Sequence, residues 1–445
     1  MKKLKLFLLN TIILIFSSII LRVMGIYFGI YISNRIGTEK LGIFSLVMSV
    51  YLFGITLATS GINLASTRVI SEELALGNKS SIRNVTKKCI SISLFTGILA
   101  SLLFYIFSDF IVSICLHDKV EKEVIHLFCL ALPLISMSAA INGYFAAIRK
   151  IYKNVAGQFL EQSTKILVSA YLLSLFLPKS INYACFSLIL GDLISEIVSF
   201  TFIYIAYVLD KNKYISTNDK TNTIYSRNYT KRIFRISIPV AITSYIRSGL
   251  NTFKQILIPS SLEKHGLNCS LALSKYGIIS SMAIPVITFP DVFIKSFSNL
   301  IIPEFSRYYV KKDYRNIRKF TSILLFLTLI ISIFIAIFLY FFSDSIGTWI
   351  YKDVSIGMFI KLLAPLSIFI YLDSIIDSIL RGLDVQVGVM IINIIDLVFT
   401  VSFIYFLVPI LGIKGYIYSI YISELLNFFI SFLQLFKKVY ILSRN

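Results

Sequence analysis

Apolar runs of about 20 residues or more recur from one end of this sequence to the other, and each is long enough to cross a hydrocarbon core of roughly 30 Å as an α-helix. The segments of about ten alternating residues that a membrane β-barrel needs are absent from the sequence. Hydrophobic residues make up 57% of the 445 residues and charged residues only 15%, whereas soluble domains are roughly half apolar and about a quarter charged. We therefore predict an all-α integral membrane protein.

The apolar runs predict twelve transmembrane helices. Their approximate bounds are 8–33, 41–65, 89–109, 124–148, 156–177, 182–208, 233–259, 274–303, 319–342, 357–380, 386–408 and 414–436. The first run follows a lysine-rich start but continues to Ser33 without a small-residue cleavage site, so we interpret it as a span and not as a signal peptide.

Basic residues are distributed unevenly between alternate loops. With the N-terminus placed in the cytoplasm, the segments on that side hold 28 Lys and Arg residues and the opposite loops hold 10. This asymmetry is the positive-inside pattern of an even number of spans with both termini cytoplasmic. It also explains the net charge of +20. Because the basic residues form no single patch, nucleic acid is not an expected partner.

The longest polar stretch, Asp210–Asn228, divides the spans into two groups of six. The predicted organisation is a six-helix bundle at 1–209, a cytoplasmic linker at 210–232 and a second six-helix bundle at 233–445. Short motifs recur in the same order in both halves. Phe104–Asp109 matches Leu339–Asp344, Asp118 matches Asp353, Leu132–Leu134 matches Ala364–Leu366, Arg149 matches Arg381, and Ile194–Glu196 matches Ile422–Glu424. Parallel repeats of this kind place a site between the halves near the membrane midplane.

Charged residues at membrane depth cost about 2.5–3.5 kcal/mol each on insertion scales, so each needs a partner or a function. The basic residues at this depth are Arg22, Lys165, Arg247, Lys254 and Lys295, and the acidic residues are Glu161, Asp192, Glu196, Asp291, Asp373, Asp377, Asp396 and Glu424. The pairs Glu161/Lys165 and Asp291/Lys295 are spaced i, i+4, which lets each pair neutralise itself on one helix face.

Arg22 and Arg247 occupy matching positions in the first helix of each half, and neither has an acidic residue within four positions. Two interpretations stay open. The arginines pair with acids of other helices, such as Glu196 or Glu424, or they bind an anionic ligand between the halves, because a guanidinium suits bidentate contacts with phosphate or carboxylate. Asp192, Glu196, Asp396 and Glu424 are in turn candidates for proton or sodium sites or for ion pairs.

Span 8 contains Pro285 and Pro290 and is expected to close with Pro303. Each proline frees a backbone carbonyl and bends a helix, which is tolerated at membrane depth where the helix is buried or lines a wet cavity. We therefore predict a broken, cavity-lining helix at this position.

The segment from this broken helix, Tyr276–Tyr309, resembles the signature of the C-terminal half of oligosaccharide flippases. Gly37–Gly77 resembles the matching segment of the N-terminal half, and Leu21–Gly29 resembles the first span of the branch that contains stage V sporulation protein B. These flippases belong to the multidrug/oligosaccharidyl-lipid/polysaccharide exporter superfamily. The resemblance covers essentially the whole chain, although members of this branch usually carry fourteen spans.

The resemblance implies two six-helix bundles that form a V-shaped cavity lined by spans 1, 2, 7 and 8, as in multidrug and toxin exporters (MATE proteins). It also implies that a polyprenyl-pyrophosphate-linked oligosaccharide is flipped across a bacterial plasma membrane by alternating access, for a cell wall, a spore cortex or a surface polysaccharide. We expect Arg22 and Arg247 to hold the pyrophosphate, with Arg68 drawing it in and Lys254 and Lys295 as further candidates. The other expected partners are membrane lipids and H+ or Na+, and the protein is expected to act as a monomer.

The first alternative is a cation-coupled multidrug exporter of the same fold, although its branch typically carries an acidic residue in span 1, where this chain offers Arg22. The second is a membrane enzyme, but the outside loops hold only about 4–18 residues. The three histidines lack metal-ligand spacing, the five cysteines form no CxxC pair, and no phosphate-binding loop occurs. We therefore expect a secondary transporter without catalytic residues, metal or cofactor.

Overall fold

The computed structural model describes residues 2–76, 79–116, 119–176, 181–211 and 228–444, and every regular element within these ranges is helical. The first half contains α1 Lys2–Ile36, α2 Thr38–Thr59, α3 Ile62–Ala75, α4 Lys79–Ile106, α5 Ser108–Phe110, α6 Lys122–Ala147, α7 Ile151–Phe176 and α8 Ile181–Lys211. The second half contains α9 Tyr229–Lys264, α10 Cys269–Gly277, α11 Ile284–Thr288, α12 Asp291–Val310, α13 Tyr314–Phe341, α14 Ser343–Tyr351, α15 Val354–Leu363, α16 Leu366–Gly382, α17 Gln386–Leu411 and α18 Ile413–Arg444. Short π-helical turns at Ile111–Cys115 and Ile278–Ala283 follow α5 and α10.

Nine helical segments of the described chain are long and apolar enough to cross a membrane, or ten if α15 and α16, which meet at 52°, form one bent span. The other two predicted spans coincide with α7 and α9, whose polar and charged residues lower their mean hydropathy. All twelve predicted positions are therefore helical, and the chain is a multi-pass membrane protein.

The two halves repeat each other in helix length and in backbone detail. Helices α4 and α13 both contain 28 residues, and α7 and α17 both contain 26. The residue after α4, Phe107, has φ −91° and ψ 13°, and its counterpart after α13, Phe342, has φ −95° and ψ 8°. Phe107 and Phe342 are 235 positions apart in the sequence, the same separation as Phe104 and Leu339 at the start of the matching motifs.

One sequence match is shifted in the structure. Arg149 and Asp384 both have positive φ, at 61° and 63°, and they stand in the turns after α6 and α16. The turn at Arg149 therefore corresponds to Asp384 and not to Arg381. The second half has three extra residues between its proline and this turn, where Pro365 separates α15 from α16, whereas α6 continues through Pro133.

The second span of each half is broken at the same place. In the first half α2 ends at Thr59 and Gly61 adopts φ 77°, which glycine tolerates without steric cost. In the second half the break falls at Pro290, immediately before α12. The predicted end of span 8 at Pro303 is wrong, because α12 continues through this proline to Val310.

The chain forms two compact units, and their boundaries differ from a simple division of the sequence into first and second halves. Unit 1 consists of 1–17 and 46–252, and unit 2 consists of 18–45 and 253–445. Helix α1 passes from unit 1 to unit 2 after Ser17, and α9 does so after Thr252. The division into bundles at 1–209 and 233–445 stays a prediction, and residues 212–227 of the predicted linker lie outside the described part of the chain.

Each unit has its own apolar core. In unit 1 the core includes Val69, Val85, Ile141 and Tyr207, together with Ile233 from the start of α9. In unit 2 a core formed by α12, α13, α16 and α18 includes the buried residues Phe305, Ile317, Ile379 and Leu435. The first turn of α9 is thus part of the packed interior of unit 1.

Helices α2 and α10 pack backbone to backbone in unit 2. A Cβ added at Gly42 would meet the carbonyl oxygen of Leu273, and a Cβ added at Gly277 would meet the carbonyl oxygen of Thr38. Small residues permit such close approach, which is a common way for membrane helices to associate.

We expect Gly42→Ala to lower the free energy of unfolding by about 1–3 kcal/mol, because its methyl group overpacks this contact. The matched control is Gly29→Ala, since nothing lies within 4 Å of a Cβ at that position and alanine is the better helix former. Thermal unfolding of the purified protein in detergent measures both. A Gly42→Ala variant as stable as Gly29→Ala would contradict the packing described here.

Candidate functional site

Unit 1 contains a cavity of about 370 Å³ that carries two carboxylates. Glu161 of α7 and Glu196 of α8 line it, and their charges interact. The other lining residues are Ile55, Thr59, Asn63, Ile135, Ser138, Ala139, Asn142, Gln158, Ser199 and Ile203. The Oγ of Ser138 and the Oδ1 of Asn142 are buried and have no hydrogen-bond partner within the described residues. We call this cavity the acidic pocket; its chemistry suits a cation, a proton or a hydroxyl-rich ligand.

The lysine beside the acidic pocket contacts a different acid from the one that its spacing predicts. The Nζ of Lys165 lies 2.6 Å from Oδ1 of Asp192 on the neighbouring helix α8. Glu161, four residues before Lys165, remains close enough for their charges to interact. Because α7 and α8 pack along their length, the buried Asp192 is the nearer partner, and Glu161 is left to line the cavity.

Unit 2 contains a second group of charges, which we call the unit 2 cluster. It consists of Lys254 of α9, Asp373 of α16, Asp396 of α17 and Glu424 of α18, whose charges interact. Asn427 Nδ2 donates a hydrogen bond to Asp373 Oδ2 at 2.9 Å, whereas Asp396 Oδ1 is buried without a hydrogen-bond partner among the described residues. The unit 2 cluster thus has three carboxylates and one lysine, the same numbers as the interacting group Glu161, Lys165, Asp192 and Glu196 in unit 1.

Two further acids of α12 and α16 have local partners. Lys295 contacts Asp291 at 2.6 Å, one turn away on the same helix, as their spacing predicts. Arg381 contacts Asp377 at 3.2 Å, again with an i, i+4 spacing. These carboxylates are thus neutralised on their own helices.

The two arginines at membrane depth differ from all of these groups. Arg22 on α1 and Arg247 on α9 are exposed, and within the described chain neither forms an ion pair with a carboxylate. Arg22 belongs to unit 2 and Arg247 to unit 1. Pairing with acids of other helices therefore does not account for either arginine in this structure.

Arg68 does not stand at the end of its span, because α3 continues to Ala75. Its Nε lies 3.2 Å from Oε1 of Glu72. The carboxylate of Glu72 therefore partly neutralises Arg68, whose positive charge was expected to attract an anionic ligand.

The prediction from sequence missed an ion-pair group at the end of α3. Arg232, in the first turn of α9, contacts Glu72 and lies 3.0 Å from the fully buried Glu73. Partial burial lowers the pKa of the Arg232 guanidinium, but its hydrogen bonds with Glu73 and Glu72 outweigh this effect and raise the pKa. The adjacent acids at the end of span 2 and the basic start of span 7 were the signal that would have revealed the group.

No group of three or more His, Cys, Asp or Glu residues in the described ranges is arranged to hold a metal ion. His126 packs against Tyr105 with the rings tilted at 33° and their centroids 4.8 Å apart, and His265 forms a 3.0 Å hydrogen bond with the carbonyl of Pro409. His117 lies outside the described residues. The five cysteines form no disulfide bond within the described residues.

Comparison with known proteins assigns the chain to a family. The family model of polysaccharide biosynthesis proteins matches residues 7–308. The chain belongs to this family. Stage V sporulation protein B of Bacillus subtilis is 23% identical over 92% of this chain and 79% of its own length. Lipid II flippase MurJ of the same organism is 21% identical over 69% of this chain and 59% of its own length.

The fold of this chain is shared with solved transporters. An inward-facing multidrug resistance MATE family transporter of the MOP superfamily, the superfamily named from the sequence resemblance, is 16% identical, with a TM-score of 0.74 over 96% of both chains. The MATE-like fold that the sequence predicted is therefore confirmed, as is the resemblance to stage V sporulation protein B.

Removing Lys165 tests whether the charges beside the acidic pocket are balanced as described. We expect Lys165→Ala to lower the free energy of unfolding by about 3–5 kcal/mol, because it leaves Asp192 buried without its cation. The double variant Lys165→Ala/Asp192→Ala should regain part of this loss. The control is Lys122→Ala, whose partner Asp109 is exposed, so its loss should stay below about 1 kcal/mol. Equal losses in Lys165→Ala and Lys122→Ala would contradict this pairing.

Proposed function

We propose that this protein is a flippase that moves a polyprenyl-pyrophosphate-linked oligosaccharide across a bacterial plasma membrane by alternating access. Membership of the polysaccharide biosynthesis protein family and similarity to a lipid II flippase support this function. The observation that carries it is the pair Arg22 and Arg247. They stand at matching positions of α1 and α9, exposed and without an ion pair in the described chain.

The proposed role of these arginines is to hold the pyrophosphate. A guanidinium is always charged and forms bidentate hydrogen bonds with phosphate oxygens. A guanidinium without a carboxylate partner keeps its full positive charge for a ligand. Arg68, Lys254 and Lys295 are weaker candidates, because each has a carboxylate in contact or within electrostatic range.

The acidic pocket and the unit 2 cluster are proposed to couple flipping to an energy source. Asp192 and Glu196 in unit 1, and Asp396 and Glu424 in unit 2, would bind and release H+ or Na+. One charge that crosses a potential of 100 mV yields about 2.3 kcal/mol, so a few such events supply a useful driving force. The protein is thus proposed to be a secondary transporter and not an enzyme, monomeric, with both termini cytoplasmic.

One observation favours a cation-coupled multidrug exporter instead. The acidic pocket carries Glu161 and Glu196, and a pair of carboxylates suits a cationic drug better than an anionic lipid. Resistance to cationic dyes and their efflux from cells that express the protein would support this second function.

We expect the double variant Arg22→Ala/Arg247→Ala to lose binding of an undecaprenyl-pyrophosphate-linked saccharide by at least about a hundredfold, since two charge-assisted contacts are removed at about 1.5–3 kcal/mol each. Native mass spectrometry measures binding, and a liposome assay measures flipping. The matched control is Arg35→Ala/Arg235→Ala, which removes one exposed arginine from each of the same two helices. The site assignment is wrong if both double variants bind like the wild type.

We expect Glu196→Gln and Glu424→Gln to retain lipid binding but to lose the response of flipping to an imposed pH or sodium gradient, because the neutral amide takes up neither cation. The control is Glu123→Gln, an exposed acid in the first turn of α6. If gradient-driven flipping survives in both Glu196→Gln and Glu424→Gln, these carboxylates have no coupling role.

A further inference from the structure

An apolar groove of about 540 Å³ runs along α12 in unit 2. One wall is formed by side chains of α12 at helical spacing, and the opposite wall belongs to α13. The α12 wall includes Phe293, Phe297, Ile301, Phe305 and Tyr308. We call this feature the α12 groove. Neither Arg22 nor Arg247 lines it, so it is separate from the proposed pyrophosphate site.

The α12 groove is open along one side. Phe297 keeps 61% of its surface exposed, and Ile331, on the α13 wall, keeps 51%. Apart from Glu304 at one end and the hydroxyls of Tyr308 and Thr328, its lining is hydrocarbon and aromatic. An open groove of this composition suits a hydrocarbon chain.

The length of the α12 groove selects among hydrocarbon chains. Pro290 and Tyr308 line its two ends, and 18 residues of helix between them span roughly 27 Å. The whole hydrocarbon core of a bilayer is about 30 Å thick. A phospholipid chain belongs to one leaflet and reaches about half that depth, whereas a polyprenyl chain is long enough to fill the groove.

The end of the groove at Tyr308 is basic. α12 ends at Val310, and Lys311 and Lys312 follow it directly in the turn before α13, where both are exposed. Two acids lie near this end: Glu304 is paired with Arg307 at 3.2 Å, and the carboxylate of Asp313 accepts hydrogen bonds from Asn316. Neither lysine forms an ion pair among the described residues. An anionic head group at this end therefore meets a net positive charge.

We propose that the α12 groove binds the hydrocarbon chain of a polyprenyl phosphate and that Lys311 and Lys312 bind its phosphate. The identity of the carrier rests on the proposed function, but the groove, its length and its charged end do not. The site is a docking position for the carrier lipid, in which α12, the helix after the Pro290 break, contacts the chain along its whole length.

The single tryptophan of the chain, Trp349, makes this proposal measurable. In the variant Trp349→Phe/Phe297→Trp, fluorescence reports the α12 groove alone. The protein is placed in micelles that contain phosphatidylcholine with brominated chains, which quench a tryptophan on contact. We expect undecaprenyl phosphate to relieve the quenching in this variant by displacing brominated chains. The wild-type protein is the control reporter, since its Trp349 is 86% exposed and does not line the groove, and it should show no relief.

The charged end is tested by adding Lys311→Gln/Lys312→Gln to the reporter variant. The concentration of undecaprenyl phosphate for half-relief should rise about fivefold for each lysine removed, the effect of about 1 kcal/mol per charge. The matched control is Lys87→Gln/Lys88→Gln, an exposed adjacent pair on α4 in unit 1, which should change nothing. An unchanged half-relief concentration in the Lys311/Lys312 variant would overturn the phosphate assignment.

Phosphatidic acid with palmitoyl chains separates the carrier lipid from an ordinary phospholipid, because it offers the same phosphate on shorter, paired chains. Equal relief by phosphatidic acid would overturn the polyprenyl assignment, and no relief by undecaprenyl phosphate would overturn the site itself. Either result, together with intact flipping in liposomes that depends on Arg22 and Arg247, would leave the proposed function standing.

Discussion

Buried carboxylates that need cations are the constraint on which the rest of this structure depends. An uncompensated charge among membrane helices is expensive, so the helices that carry Asp192, Glu73 and Asp291 must pack where Lys165, Arg232 and Lys295 can reach them. In two of these three pairs the cation comes from another helix, and the pair therefore fixes which helices are neighbours. Apolar surface alone selects no partner in lipid, because hydrocarbon is as good a solvent for leucine as another helix.

Both halves contain buried charged groups, but not all of the charged residues occupy equivalent helices in the two halves. The group of Glu161, Lys165, Asp192 and Glu196 at the acidic pocket, and the unit 2 cluster, each consist of three carboxylates and one lysine. Yet the lysines stand on different helices, Lys165 on α7 and Lys254 on α9. Backbone features such as the breaks after Thr59 and at Pro290 are conserved between the halves more closely than the charges are. The two halves are thus similar as scaffolds and different in chemistry, which suits a division of tasks between them.

Helix positions were predictable here because a run of about 20 apolar residues has few alternatives to a membrane helix. The pair Asp291/Lys295 was predictable for a similar reason, since i, i+4 spacing acts within one helix. The partner of Lys165 was not, because sequence spacing favours Glu161 and only the packing of α7 against α8 brings Asp192 nearer. The continuation of α12 past Pro303 also escaped prediction. A proline removes one backbone hydrogen bond, but Ile302 before it and Phe305 after it both pack against Gly382 of α16, which holds the helix on both sides.

The passage of α9 from unit 1 into unit 2 has a consequence for how such a chain arises. A polypeptide that ended at Lys211 would lack Ile233, which belongs to the core of unit 1, and Arg232, which neutralises the buried Glu73. The first half gives residues 18–45, the end of α1 and the start of α2, to unit 2 in the same way. Each half is therefore an incomplete fold that borrows a helix segment from the other, as in an exchange of elements between protomers. If the chain descends from a duplicated gene, its ancestor would have folded as a swapped dimer, and fusion of the two copies made that exchange intramolecular.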